Sequence, residues 1–292
     1  MPTFDTPDPV SVTVELGVGD IRIVAGDRTN TSVDVRPSDP AKKSDVTAAE
    51  QTRVEYASGR LLIKAPKGWR QWTPLGGGES IHVQIDLPAG SQVRGEAGVA
   101  ALHCGGRLGE CRYRTGVGDI HIDQAGVVEL KTGAGDVTVG QAVGKAEVST
   151  ASGAVDIGSI DGTVSIKNSN GDTWIGEVTR DARVNAANGN ISVDRARGTV
   201  TAKTANGDVR LREVAHGAVL AQSAFGTIQV GVRDGVAAWL DLDTKFGNVQ
   251  NDLDAADRPD SGEDAVEVHA RTSYGDITIQ RSFASDSEKE RA

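Results

Sequence analysis

Residues 171–211 read GDTWIGEVTRDARVNAANGNISVDRARGTVTAKTANGDVRL and carry one short motif three times, with glycines at 171, 189 and 207. The motif recurs outside this stretch as GDIHI at Gly118, GDVTV at Gly135, GAVDI at Gly153, GTIQV at Gly226, GNVQN at Gly247 and GDITI at Gly275. From Gly118 to Gly226 successive glycines are 17 to 19 residues apart. This period predicts a solenoid, in which each repeat forms one coil that rests on the next.

Each repeat has the pattern of short strands separated by tight turns. Residues 164–170, just before one motif glycine, alternate apolar and polar side chains with a period of two, which is typical of a β-strand. Stacked coils bring equivalent residues into columns, and the second and fourth residues after each glycine are aliphatic in nearly every repeat. The sequence therefore predicts an all-β fold, a parallel β-helix (β-solenoid) with coils of about 18 residues around an aliphatic core.

The repeat extends less regularly into the first hundred residues. We interpret three segments as further copies, GDIRI at Gly19, GRLLI at Gly59 and GVAAL at Gly98. Strands at 32–36 and 81–87 would lie between them. The loops 37–51 and 66–79 interrupt the pattern, and the first is predicted to contain a short helix around 46–51.

These boundaries predict a single solenoid domain at residues 1–281. Residues 1–97 would form irregular long coils that include the two loops, and residues 98–281 would form the regular coils. The charged segment 282–292 is predicted to be a mobile tail.

The residue after the motif glycine is often an aspartate, and two interpretations of this column remain open. It includes Asp119, Asp136, Asp172 and Asp208. Stacked carboxylates could bind Ca²⁺, as glycine–aspartate repeats do in parallel β-rolls. Alternatively, each side chain accepts a hydrogen bond from its own backbone at the turn. Ala154 in the same column favours the second interpretation, so we assign no metal and no cofactor.

Basic residues occupy equivalent outward positions on the longer strand of several repeats. They are Arg114, Lys131, Lys167, Lys203 and Arg271. They could bind a polyanion or an acidic polysaccharide, or they could form ion pairs with the neighbouring Glu129 and Glu147.

Trp69 and Trp72 form an aromatic pair that we expect to be partly exposed, as a platform for a partner or a sugar, or as a lid over the side of the solenoid.

The histidines and cysteines add no site to this pattern. The five histidines, His82, His103, His121, His216 and His269, are placed in different columns by the repeat, and no GxSxG motif occurs. Cys104 and Cys111 lack the further ligands of a metal site and are predicted to be free thiols, with Cys111 facing inward. We assign no catalytic residue and predict that the protein is not an enzyme.

Composition excludes several classes of function. The net charge of −10 over 292 residues disfavours binding to nucleic acid or to anionic membranes. The apolar stretches are too short for a spanning helix, so no membrane insertion is expected. The N-terminal segment MPTFDTPDPV has acids and prolines where a signal peptide has a basic start and an apolar stretch. We therefore expect a cytoplasmic protein.

The motifs together resemble a known bacterial family. They are GDIHI, GDVTV, GDVRL and GDITI, with VTVELGVGDIRI at 12–23, AEQTRVEYASGRLLIKAP at 49–66 and RTSYGDITIQR at 271–281. The family is that of the β-strand-repeat putative adhesins, whose function is unknown, and the resemblance covers nearly the whole chain. It implies a single-stranded, right-handed parallel β-helix, which is the handedness usual for parallel crossovers. It supplies no catalytic residues.

Three functions are compatible with these features. Regular flat faces without a catalytic constellation favour a non-enzymatic scaffold or binding module that docks a protein or a glycan. A self-assembling, cytoskeleton-like solenoid is the alternative, because solenoid ends expose unpaired strand edges. The N-terminal prolines and the charged tail would blunt those ends, so we expect a monomer or weak self-association. A polysaccharide-acting enzyme would rest on Asp156 near Lys167.

Overall fold

The computed structural model describes residues 2–66, 79–253 and 265–282. They group into two compact units, residues 1–158 (unit 1) and residues 159–292 (unit 2). Each unit consists mainly of β-strands. The single domain predicted at 1–281 is not tested by this grouping and stays a prediction. No helix in the described part of the chain is long and apolar enough to cross a membrane.

The strands follow the chain in both units. Unit 1 contains β1 (Thr3–Asp5), β2 (Ser11–Gly26), β3 (Asn30–Pro37), α1 (Lys43–Gln51), β4 (Arg53–Ala57), β5 (Arg60–Lys64), β6 (Ser80–Pro88), β7 (Gln92–Val117), β8 (Ile120–Ala134) and β9 (Val137–Ser152). β10 (Val155–Asn170) begins in unit 1 and ends in unit 2. Unit 2 continues with β11 (Thr173–Val178), β12 (Ala182–Asn188), β13 (Ile191–Ala196), β14 (Val200–Asn206), β15 (Val209–Val214), β16 (Gly217–Phe225), β17 (Ile228–Val232), β18 (Ala237–Phe246), β19 (Val249–Asn251), β20 (Ala265–Tyr274) and β21 (Ile277–Arg281).

Parallel pairing at the predicted period confirms the β-solenoid. In unit 1, β7, β8 and β9 pair in parallel, so that Leu102, Ile120 and Val137 lie side by side. In unit 2, two parallel ladders form, one from β10, β12, β14 and β16 and the other from β11, β13, β15 and β17. Ile191 lies between Thr173 and Val209, each 18 residues away in sequence.

The predicted inward columns form the core. Ile191, Val193 and Val209 are at most 1% exposed, and each such aliphatic side chain stabilises the fold by about 1.5–3 kcal/mol. The small polar residue three positions before each glycine is also buried in most coils. Thr204, for example, donates a hydrogen bond from Oγ1 to the carbonyl oxygen of Gly189, at 3.1 Å. The buried hydroxyl is thus satisfied by the neighbouring coil.

The motif glycine is required by the close approach of one coil to the next. Gly189 has a φ of 139°, and a Cβ at this position would overlap the carbonyl oxygen of Gly171 in the adjacent coil. Gly207 has a φ of 146°, and a Cβ at this position would likewise overlap the carbonyl oxygen of Gly189. A larger residue would therefore meet both backbone strain and a steric clash at these two arcs.

The N-terminal third combines parallel coils, in which β2 pairs with β5, β6 and β7, with antiparallel strands. The strands predicted at 32–36 and 81–87 are present as β3 and β6, and α1 covers the predicted helix and begins three residues before it. However, β3 pairs antiparallel with both β1 and β6, and β4 pairs antiparallel with β5. Gly59, with a φ of 76°, lies at the turn between β4 and β5. Its interpretation as the glycine of a coil is therefore wrong.

The coil read as GVAAL is shifted by two residues. Ala100, and not Gly98, lies beside Gly19 in register, and the missing side chain of Gly118 faces the carbonyl group of Ala100. The motif of this coil is therefore AALHC at 100–104, with alanine where the other coils have glycine. A search keyed on glycine could not find it.

The last coils of unit 2 do not stack in sequence order. β20 pairs in parallel with β16 on one side and with β18 on the other, and β21 lies likewise between β17 and β19. The order that the sequence predicts, with Val249 before Ile277, is wrong, because Ile277 lies directly beside Ile228 and Val249 lies outside it. This also explains Asn251, the polar member of an aliphatic column. It is exposed in the outermost coil and pairs with Ile279 alone among the described residues.

Engineered cysteine pairs test this order. Gln222→Cys with Arg271→Cys places two thiols on directly paired positions, about 4.8 Å apart between Cα atoms, and mild oxidation should join them. Gln222→Cys with Asp243→Cys places the thiols two strands apart, about 9.6 Å, which a disulfide cannot span. Electrophoretic mobility after oxidation reports the crosslink. A disulfide in the second pair and none in the first would restore the sequence order.

Candidate binding face

The outward side of one ladder in unit 2 carries a regular row of basic and amide side chains. Across β10, β12, β14, β16 and β20 it runs, in register, Lys167, Asn185, Lys203, Gln222 and Arg271. We call these residues the basic row. Adjacent strands lie about 4.8 Å apart, so successive cations lie about 9.6 Å apart with one amide between them. Three of the five basic residues singled out in the sequence thus lie in one line.

Two lysines of the basic row have no ion-pair partner among the described residues. The ion pairs of unit 2 instead join Arg197 to Glu177, Arg212 to Asp194, His269 to Asp241 and Glu267, and Arg271 to Asp241. Arg183 lies on β12, one outward column away from the basic row, and is also absent from these pairs. The acid nearest to it in the sequence, Asp181, precedes β12 and accepts a hydrogen bond from the backbone N–H of Thr199, at 3.1 Å. Lys167, Arg183 and Lys203 therefore present cationic groups that belong to no ion pair of the described residues.

Arg271, at the end of the basic row, belongs to an ion-pair cluster of β18 and β20. Its Nη2 lies 3.1 Å from Oδ2 of Asp241, and Nδ1 of His269 lies 3.0 Å from the same oxygen. Nε2 of His269 lies 2.9 Å from Oε1 of Glu267. The hydrogen bonds to Asp241 and Glu267 raise the pKa of His269, and those from His269 and Arg271 lower the pKa of Asp241. The insertion of β20 beside β18 brings these four residues together.

The two basic residues predicted in unit 1 are both paired with one glutamate. Nη2 of Arg114 lies 3.2 Å from Oε1 of Glu129, and Nζ of Lys131 lies 3.3 Å from the same oxygen. Their hydrogen bonds lower the pKa of Glu129. At these two positions the ion pairs considered as the alternative to ligand binding are formed. Glu147, the other glutamate considered, pairs with Lys145.

A shallow trough runs beside the basic row. The next outward residue toward the arc is small in each strand, namely Ser169, Ala187, Ala205, Ala224 and Ser273. Beyond the trough stands a second row, which we call the arc row, of Asn170, Asn188, Asn206, Phe225 and Tyr274. Because alanine and serine are shorter than the residues on either side, their column is the low part of the face, and we call it the trough.

The arc row is ordered by contacts between neighbouring coils. Nδ2 of Asn188 donates to Oδ1 of Asn170 at 2.9 Å, and Nδ2 of Asn206 donates to Oδ1 of Asn188 at 2.8 Å. The rings of Phe225 and Tyr274 stack with centroids 4.9 Å apart and planes within 2° of parallel. Asparagines thus stack in the first three coils and aromatic residues in the next two, and the whole row is exposed to solvent.

The exposed aromatic residues that the structure describes are not those singled out in the sequence. Trp69 and Trp72 lie outside the described residues. Trp239 on β18 is 57% exposed and contacts the ring of His269 edge-on. Trp239 alternates with Leu240 along β18, which indicates that its side chain faces outward. This alternation can be read from the sequence. The position of Trp239 beside Glu267 and His269 depends on the permuted coil order.

The aspartate column bonds to the neighbouring coil and not to its own turn. Oδ1 of Asp172 accepts a hydrogen bond from the backbone N–H of Asn190 at 2.8 Å, and Oδ1 of Asp208 accepts one from that of Thr227 at 2.7 Å. A residue without a carboxylate can occupy this column, because its backbone N–H still donates a hydrogen bond to the aspartate of the preceding coil. Ala154, for example, donates to Oδ1 of Asp136. These carboxylates therefore hold the coils together. Within the described ranges, no three His, Cys, Asp or Glu side chains are placed to hold a metal ion.

Two of the histidines share a column, which corrects the sequence interpretation. His103 lies beside His121 in register, and their rings stack with centroids 5.5 Å apart. The two-residue shift of the GVAAL coil had hidden this pair.

Cys104 and Cys111 are free thiols, as predicted, and both are buried. A hydrogen bond with Cys111 and burial raise the pKa of Cys104, so it remains a protonated thiol.

The fold defines a β-solenoid repeat protein. The model of the Toastrack DUF4097 family matches residues 11–280. The chain belongs to this family, in agreement with the resemblance to bacterial putative adhesins of unknown function. No curated protein matches the chain.

Solved structures similar to the chain carry adhesin names. A putative adhesin from Bacteroides fragilis NCTC 9343 is 15% identical, with 96% of this chain and 95% of that chain covered and a TM-score of 0.38. A putative cell adhesion protein from Clostridium sporogenes ATCC 15579 is 11% identical, with 96% and 98% covered and a TM-score of 0.22. A putative adhesin from Parabacteroides distasonis ATCC 8503 is 14% identical, with 96% and 95% covered and a TM-score of 0.27. Because these TM-scores are below 0.5, the family assignment rests on the family match.

The contact between His269 and Asp241 predicts a pH dependence. The pKa of His269 is raised from its ordinary value of 6.5, so the protonated ring contributes stability that is fully present below pH 6.5 and lost as the pH rises through the folded pKa. An NMR titration of the imidazole should show the raised pKa. Asp241→Asn should return it toward 6.5, and an unchanged pKa in this variant would contradict the contact.

Proposed function

We propose that the chain is a non-enzymatic binding module that docks a partner on the outward side of β10, β12, β14, β16 and β20. The observation that carries this proposal is the basic row, with Lys167 and Lys203 outside every ion pair of the described residues. In a protein of net charge −10, cations left without partners on one face favour an anionic ligand.

The layout of the face supports binding and not catalysis. Catalytic groups converge on a cleft from which water is excluded. The cations of the basic row instead follow one another at about 9.6 Å along an open face. The titratable groups on this face with shifted pKa values, His269 and Asp241, are neutralised by each other and by their neighbours. We propose that the chain acts by holding a partner.

Capture by immobilised protein tests this proposal. The wild type should retain a component from the soluble or envelope fraction of a bacterium that encodes the chain; both fractions are needed, since the cytoplasmic localisation stays a prediction. Lys167→Glu/Lys203→Glu should lose that component, because it reverses the two charges that have no ion-pair partner within the described ranges. Lys131→Glu is the matched control and should retain it, because Lys131 is already paired with Glu129. Equal retention by all three proteins would place binding elsewhere.

Self-assembly through the outer end of unit 2 is a second candidate function. Val249 is 47% exposed in the outermost coil, whereas Ile277, its neighbour one coil inward, is fully buried. Leu240 and Leu242 are half-buried, although they also continue core columns. Within the described residues, β18 pairs with β20 alone. An open strand edge with exposed apolar residues favours pairing with a second copy.

Sedimentation velocity over a hundredfold dilution series tests this candidate. Wild-type protein should show a larger species whose fraction grows with concentration. Leu242→Lys should abolish it, because a lysine on the edge strand opposes strand addition. Thr278→Lys, on the outward side of β21, is the control and should associate like the wild type. A wild-type monomer at every concentration would dismiss self-assembly.

A further inference from the structure

We infer that the partner of this face is a linear polysaccharide that carries one carboxylate on every second sugar and lies in the trough between the basic row and the arc row. The inference rests on the proposed function and names the chemistry of the ligand. The charge of the face, the spacing of its cations, its hydrogen-bonding groups and its shape each limit the class of ligand that can bind.

The charge of the face calls for an anionic ligand. Lys167, Arg183 and Lys203 lie on three consecutive strands of the ladder, and the paired segments of these strands, residues 164–170, 182–188 and 200–206, contain no acidic residue. An anion bound here meets cations that take part in no ion pair of the described part of the chain, so no such pair has to be broken first. Such contacts are individually weak in water, so affinity requires several of them along one extended ligand.

The spacing calls for a ligand with separated charges. Cations alternate with the amides of Asn185 and Gln222, which puts one positive charge at every second strand, or about 9.6 Å. A nucleic acid duplex carries a negative charge about every 1.7 Å along its axis, far denser than this row. A chain in which charged and neutral sugars alternate matches the alternation of cation and amide.

Hydrogen-bonding groups line both sides of the trough. Each asparagine amide nitrogen has two donor hydrogens, and Asn188 and Asn206 use one of them within the arc row. The remaining N–H groups, with the amides of Asn185 and Gln222, can bond to the hydroxyl groups of a sugar. The exposed edges of Phe225 and Tyr274 continue the same wall.

The floor of the trough disfavours a folded protein as the partner. Protein interfaces depend on a desolvated centre of large apolar or aromatic side chains packed into pockets. The floor here is Ser169, Ala187, Ala205, Ala224 and Ser273, with no side chain larger than serine. A thin, polar and extended chain can lie on such a floor, and its length can follow the stack across several coils.

Binding of defined oligosaccharides, measured by isothermal titration calorimetry on the full chain, tests the inference. The probe is a hyaluronan decasaccharide, which carries one carboxylate per disaccharide. It should bind the wild type, and the affinity should fall as salt is raised because the contacts are exposed ion pairs. The carboxyl-reduced decasaccharide, identical in length but neutral, should not bind detectably. Equal binding of the two would overturn the inference.

Three variants separate the trough from general electrostatic attraction. Lys167→Gln/Lys203→Gln should weaken binding about tenfold, at roughly threefold for each lost exposed ion pair. Lys131→Gln, which removes the same charge from a lysine paired with Glu129, should bind like the wild type. Ala205→Tyr leaves every charge in place but fills the trough, and it should abolish binding. Thermal melts of the three variants establish that each is folded, and wild-type affinity in folded Ala205→Tyr would overturn the proposed position.

The failure of this inference can be told apart from that of the proposed function. If the captured component depends on Lys167 and Lys203 but is destroyed by protease, and the decasaccharide does not bind, the partner is a protein. The face would then be correct and the ligand class wrong. If neither the component nor the decasaccharide responds to the lysine variants, the proposed face itself is wrong.

Discussion

Hydrogen bonding between coils in fixed register is the interaction on which the rest of this structure depends. At each arc the backbone N–H of one coil donates to a carbonyl of the next, as Ile191 does to Asp208 at 2.8 Å. Beside it, Oδ1 of Asp172 accepts from the N–H of Asn190. Because both bonds join equivalent positions, a shift by one residue would break them together and turn every aliphatic side chain outward. The glycine at each arc allows the coils to approach closely enough for these bonds.

A ladder of this kind must also end, and the two units show different endings. In unit 1, β3 and β4 run antiparallel to their neighbours, which takes them out of the coil pattern. In unit 2, the chain places β18 and β19 outermost and then fills the gap with β20 and β21. The later strands are buried as a result, and the earlier ones keep the open edge. The strand edge that is open to pairing therefore belongs to β18 and β19, which precede the last two strands in the sequence.

The register that builds the core also sets the spacing of charges on the surface. Inward positions must be aliphatic in every coil, whereas outward positions are free to differ. The equivalent outward position of the repeat is Arg114 and Lys131 in unit 1, which share Glu129, and Lys167 and Lys203 in unit 2, which belong to no ion pair of the described residues. The same kind of repeat thus carries ion-paired cations in unit 1 and unpaired ones among the described residues of unit 2. The proposed function depends on this difference.

The sequence by itself determined the parts of this protein that repeat locally. The spacing from Gly118 to Gly226 determined the coil length, and the aliphatic columns, Ile191 and Val193 among them, determined the inward face. The tertiary structure decided what depends on which strands become neighbours. It placed Tyr274 between Phe225 and Phe246, brought His269 to Asp241, and aligned His103 with His121. The physical reason is that a repeat period predicts contacts only between coils that follow one another in the sequence. The insertion of β20 between earlier strands and the alanine at one arc depart from a pattern that assumes sequence order and a glycine at every arc.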